Sequence, residues 1–178
     1  MNSINQQQQE DNKDNLRSTE AVAKIKELAE ASKTCFLCTD IKTGKAFAAR
    51  PMSVQEVDEQ GNVWFLSASD SHQNEQISAD PHVQLLFQGS HYSDFLSLYG
   101  KASISKDKTR IKELWNPLAK NWFTEGEDDP RITVVKVAPE AGYYWDTKHG
   151  NIVSFAKSIA GAVTGQTMDD SVEGNLKV

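Results

Sequence analysis

Val22, Ile25, Leu28 and Ala29 recur three and four residues apart, so they share one face of a helix expected over residues 16–31, with polar residues outside. Ser32 and Lys33 end that pattern, and TCFLCT begins a strand at 34–39. Further strand-like segments follow at 46–54, 63–67, 83–88, 95–105, 132–137 and 141–146. TGK at 43–45 and EQGN at 59–62 carry turn chemistry suited to hairpins. A short helix is expected over 71–79, ended ahead of Pro81 because the residue before a proline avoids helical geometry. Another covers 107–115, with Asp107 near its start and Pro117 beyond its end. Many short strands with helices at their junctions predict a mainly β, α+β chain: an antiparallel barrel or sandwich with helical decoration.

Composition adds boundaries. The 178 residues suffice for one domain with a sizeable core, yet only 38% are hydrophobic. The deficit sits at the ends. The first twenty residues are rich in Asn and Gln, and 166–178 are polar and acidic. Residues 1–15 and 166–178 are therefore expected to be disordered tails around a domain at 16–165. Net charge is -6. Glu10, Asp11, Asp14 and Glu20 outweigh Lys13 and Arg17 at one end, and Asp169, Asp170 and Glu173 outweigh Lys177 at the other, so the body is nearly balanced. Such a body lacks the basic footprint of a nucleic-acid binder or of a protein drawn to anionic membranes. No apolar run reaches membrane-spanning length, and the N-terminus lacks the features of a secretory signal. A cytoplasmic location is expected, and it suits two reduced cysteines.

Cys35 and Cys38 have the spacing of a redox dithiol, but their flanks are strand-like and no second pair completes a metal site. They read as buried core thiols. His72, His82, His91 and His149 show no metal-ligand spacing. No nucleophile elbow, Walker loop or dinucleotide glycine fingerprint is present. Trp64, Trp115, Trp122 and Trp145 suggest cofactor stacking, although tryptophan more often fills a core or an interface. Arg50 and its followers are the stronger signal. A guanidinium fork matches phosphate oxygens, Ser67, Ser69 and Ser71 add hydroxyls, and His72 and Gln73 add donors where a helix begins with free amides.

FAARPM at 47–52 followed by VWFLSASDSHQNEQISADPHVQLLF at 63–87 resembles the flavin-binding half of the pyridoxamine 5'-phosphate oxidase-like split β-barrels. ELWNPLAKNWFTEGEDDPRITVVKVAPEAGYYWD at 113–146 is similar to the general stress protein branch of that family, and the likeness covers residues 21–165. It implies a six-stranded antiparallel split β-barrel with flanking helices, and a homodimer holding two FMN molecules at its interface. Arg50 and the backbone near Met52 would then line the flavin and its phosphate chain. Leu66 and Ser67 would lie along the ring and ribityl groups, and Ser71, His72 and Gln73 would form the phosphate end. The partner subunit's Trp145 would lie near the ring, with Trp115 as a weaker candidate.

Two departures bear on function. The family commonly has lysine at the position of Gln73, so a point charge facing a dianion is missing here, and His72 replaces it only when protonated. After Trp145 comes DTKHGNIVSF rather than the Arg-x-His pattern that holds the substrate phosphate in true pyridoxamine phosphate oxidases. Oxidation of pyridoxamine phosphate is therefore not expected. The expectation is a cytoplasmic FMN-binding protein of the general stress type, for which one open reading is a flavin-dependent oxidoreductase with a nicotinamide donor. The alternatives are a flavin, haem or deazaflavin binder without turnover, or a dimeric scaffold. No clear catalytic acid or base stands out; Tyr143, Tyr144 and His149 are near the YYWD segment.

Overall fold

The computed structural model describes residues 12–42, 46–89, 94–147 and 171–178. The TGK turn, His91 and His149 lie outside them. In chain order the elements are β1 (Leu16–Arg17), α1 (Ser18–Ser32), β2 (Thr34–Thr39), β3 (Ala48–Ser53), β4 (Glu56–Val57) and β5 (Val63–Ala68). Then come α2 (His72–Ala79), β6 (His82–Gln88), β7 (Phe95–Ser105) and α3 (Lys108–Leu114). Two 3-10 turns (Pro117–Asn121 and Gly126–Asp128) lead into β8 (Ile132–Thr147), and β9 (Ser171–Lys177) closes the chain.

Six strands make the split barrel expected from the sequence. Their antiparallel order is β3-β2-β6-β7-β8, with β5 on the other edge of the first half of β8. Alternation explains the core. Val63, Phe65 and Ser67 of β5 face inward, and Val83, Leu85 and Phe87 do the same in β6. Helix α1 lays Ala21, Ile25, Leu28 and Ala29 onto that core, each no more than 2% exposed. It stops at Lys33, which takes a left-handed conformation and returns its N–H to Ala29 O. A second cluster, including Ile111, Leu114, Phe123 and Ile132, lies under α3. Among the described residues no helix is long and apolar enough to cross a membrane.

Two expectations are corrected. The segments at 132–137 and 141–146 are one strand, β8. It runs through Pro139 because a bulge opposite Tyr99 and Gly100 absorbs the irregularity. Gly100 is required there: a Cβ would lie 2.2 Å from Ala138 O. The ends are not wholly tails either. β9 pairs antiparallel with β8 and parallel with β1. Asp14 N–H donates to Glu173 O (2.9 Å), and Glu173 N–H donates to Asn12 O (2.9 Å). Gly174 permits this approach, since a Cβ would fall 1.6 Å from Asp14 O. That same carbonyl accepts a hydrogen bond from Tyr144 Oη at 2.9 Å. Polar Glu173 and Asn175 hid the strand in the sequence, while Leu176 anchors it at 1% exposure.

Truncating that anchor tests the correction. Leu176→Ala is expected to lower unfolding free energy by about 2–5 kcal/mol, read from urea denaturation. A disordered tail would show no change.

Candidate functional site

The split in the barrel creates a cleft. β3 has a ladder partner only in β2, so its outer edge is open among the described strands. β4 covers the start of β5 at Val63 and Trp64, leaving the Leu66–Ala68 edge uncovered on the side away from β8. Between these edges lies a cavity of about 950 Å³. β3 contributes Arg50 and Met52, β5 contributes Leu66 and Ser67, and the start of α2 contributes Ser71 and Gln73. The structure thus brings six of the sequence-predicted residues to one place.

Arg50 is half-buried. Its Nη1 donates to Thr39 Oγ1 (3.0 Å), and the fully buried Thr39 hydroxyl donates onward to Gln76 Oε1 of α2 (2.7 Å). The chain aims one edge of the guanidinium and leaves its other donors free of any carboxylate among the described residues. A half-buried cation without a counter-charge attracts an anion into the cleft.

Ser71 caps α2 by accepting the Asn74 N–H at 3.2 Å, and its oxygen lies 3.3 Å from Ser67 Oγ. Gln73, 2% exposed, lines the cleft with a buried Nε2 that has no hydrogen-bond partner among the described residues. A buried donor left unmatched costs about 1–3 kcal/mol, so it favours an acceptor arriving from outside. This end of the cleft is rich in donors and carries one positive charge.

Three predicted residues fall elsewhere. The His72 side chain is 87% exposed and lies 3.5 Å from Glu75 Oε2. Neighbours on a helix point about 100° apart, and Gln73 has the inward direction. Trp115 packs on Phe123 in the second cluster, with ring centroids 6.4 Å apart. Trp145, 43% exposed, sits on the half of β8 that pairs with β9, its ring 4.6 Å from Tyr143. It does not line the cleft of its own chain.

The sequence reading missed the opposite wall. Leu118 and Trp122, 73% and 66% exposed, line the cleft from the segment of the first 3-10 turn. Asn116 caps that turn through Leu118 N–H and also bonds Gln55, which fixes the wall against the strand side. Trp122 was one of four tryptophans in view, but a single 3-10 turn has no periodicity to show which way it faces.

The remaining candidates are structural. Tyr144 is 1% exposed and committed to Asp14, and burial first of all pushes its hydroxyl pKa up. Burial also raises that of Tyr143. Cys35 and Cys38 are free thiols, 5% and 1% exposed. Burial, with Cys38 alongside, pushes Cys35 up to about 12, and burial raises Cys38 too. They are core thiols rather than a redox pair.

Comparison with known proteins fits this geometry. Residues 20–169 match the family described as pyridoxamine 5'-phosphate oxidase like. Protein bli-3 of Neurospora crassa is 26% identical over 136 residues, which span 71% of this chain and 65% of that protein, slightly under two thirds of its length. A crystal structure designated a candidate general stress protein 26 from Jannaschia sp. CCS1 superposes with a TM-score of 0.72 at 21% identity, covering 90% of this chain and 100% of that one. The general stress FMN/FAD binding protein from Xanthomonas citri gives a TM-score of 0.58 at 23% identity, covering 70% and 87%. These two structures share the fold.

The thiols supply a check on the core. At pH 8 the native protein is expected to react with a disulfide reagent orders of magnitude more slowly than the urea-unfolded chain, because both thiols stay protonated and covered. Fast native labelling would contradict their burial.

Proposed function

The chain belongs to the pyridoxamine 5'-phosphate oxidase-like family, and on that premise we propose that it binds FMN in the cleft between β3 and β5 as a cytoplasmic homodimer. The observation that carries this is the donor set at one end: an uncompensated Arg50, the unpartnered Gln73 Nε2 and the hydroxyls of Ser67 and Ser71. These groups fit a phosphate. The first amides of α2 have no intrahelical acceptor and add to the same field. Met52, Leu66, Leu118 and Trp122 offer apolar surface for a flat ring system.

Arg50 would hold the phosphate charge, with Thr39 and Gln76 keeping its fork aimed. Gln73 and Ser71 would donate to phosphate oxygens. When bound, the flavin itself would supply redox chemistry, accepting a hydride from a nicotinamide donor and passing electrons on. The protein would supply binding, orientation and exclusion of water.

A second reading, flavin binding without turnover, rests on the lining of the cleft. No His, Cys or Tyr lines it among the described residues; of its two carboxylates, Glu30 and Glu56, the second is paired with Arg110 at 3.0 Å. The absence of an Arg-x-His pattern after Trp145 argues against pyridoxamine phosphate as substrate.

Assembly draws support from exposed apolar side chains. Phe36 and Leu86 are neighbours across β2 and β6 at 52% and 40% exposure, and Phe47 is 55% exposed. A second copy covering such surface would also allow the partner subunit's Trp145 to approach the cleft.

Titration of the purified protein with FMN, followed by flavin fluorescence, tests the reading. Arg50→Ala is expected to weaken binding by about 2 kcal/mol, roughly thirtyfold. Gln73→Lys is expected to tighten it by adding a second cation. No binding at millimolar FMN, or indifference to both substitutions, would refute the site. Reduction of the bound flavin by NADH or NADPH with turnover selects the enzyme, and binding without reduction selects the carrier. Light scattering is expected to give twice the chain mass.

A further inference from the structure

Arg50 shares the lining of the cleft with a second cation, Lys33, the residue that ends α1. The backbone of Lys33 is held twice. Its N–H donates to Ala29 O at 3.1 Å, and its carbonyl accepts the Val54 N–H at 2.9 Å. Lys33 is thereby fixed beside Val54, four positions past Arg50 in the chain. At the rise of an extended strand that separation is about 13 Å. The Arg50 guanidinium leans the other way, onto Thr39, which pairs with Ala48 at the start of β3. The two cations therefore stand at opposite ends of the cleft, with Met52 on the strand between them.

The two ends differ in charge. Both carboxylates of the lining sit away from Arg50. Glu30 is three residues before Lys33, and Glu56 is in β4, where Arg110 pairs with it at 3.0 Å. Neither Glu30 nor Lys33 forms an ion pair among the described residues. A phosphate dianion favours the end where Arg50 has no opposing carboxylate and where the Gln73 Nε2 is unmatched. The ribityl chain of FMN holds its ring apart from its phosphate, so a phosphate at Arg50 sends the ring toward Lys33 and Glu30.

Charge at that end acts on redox balance rather than on docking. Two electrons and one proton, delivered together as a hydride by a nicotinamide donor, turn the neutral oxidised ring into an anion. A cation beside the ring stabilises the reduced form and a carboxylate opposes it. The phosphate is the same in both forms, so Arg50 holds each equally. Lys33 is exposed, and its flexible stem lets the ammonium follow the ring.

We propose that Lys33 raises the reduction potential of the bound flavin by stabilising the reduced ring against the opposing charge of Glu30. The inference rests on the flavin reading above and adds the residue that tunes it.

The test takes two measurements on the FMN-loaded protein. Fluorescence titration gives the affinity for oxidised FMN, and equilibration with a reference dye gives the midpoint potential. By linkage the two together give the affinity for reduced FMN. Lys33→Met is expected to weaken the reduced form about tenfold, a potential lower by about 30 mV for a two-electron couple, while oxidised FMN binds within about threefold of wild type. Lys33→Arg is expected to keep the wild-type potential, and Glu30→Gln to raise it. Arg50→Ala is expected to weaken both forms alike and leave the potential where it was. Lys33→Gln repeats the charge removal should Lys33→Met not fold. An unchanged or raised potential on removing the Lys33 charge, with FMN still bound, overturns the inference and leaves the flavin reading standing. A loss of oxidised FMN in Lys33→Met that Arg50→Ala does not share puts the phosphate at Lys33 and overturns it as well. If the wild-type protein binds no FMN, the flavin reading falls and the inference with it.

Discussion

One strand sets the geometry on which the site depends. β8 is hydrogen-bonded along both edges: β5 and β7 flank its first half, β7 and β9 its second. Placing β5 on one side of β8 and the β7-β6-β2-β3 series on the other makes β3 and β5 the two ends of one curled sheet. Their facing edges are left open, and the cleft is the gap between them. Uncovered backbone edges usually invite aggregation. Here α1, the segment before β4 and the 3-10 turn with Leu118 and Trp122 gather around them.

The candidate site is built from short contiguous stretches, which is why the grouping of these residues was legible. Leu66, Ser67, Ser71 and Gln73 belong to one strand–turn–helix unit, and Arg50 lies on a neighbouring hairpin strand. Alternation in β5 and the cap at Ser71 are local properties, so residue order alone brings these groups together. His72 shows the limit of that logic: it sits beside Gln73 in sequence and a third of a turn away in space. Placing it required the helix phase, which a polar eight-residue helix does not reveal.

Longer-range features were hidden for physical reasons. The continuity of β8 depends on Gly100 facing Pro139 across the ladder, a pairing invisible in either segment. β9 depends on Gly174 accepting the Asp14 backbone from the far end of the chain. The wall formed by Leu118 and Trp122 comes from a turn without periodic signal. Trp145 does not line the cleft of its own chain, a placement that its neighbours in sequence do not reveal. In each case the determining contact is tertiary, and local propensity is silent or misleading.

The unequal bonding of β3 and β8 has a dynamic consequence. A strand held on both edges exchanges its amide hydrogens only when a large part of the sheet opens, whereas one held on a single edge frays at far lower cost. β3 carries Arg50, so the charged wall of the cleft is a strand held on one edge only among the described residues. An anion held by Arg50 would tie this leaf down and slow the exchange of its amides.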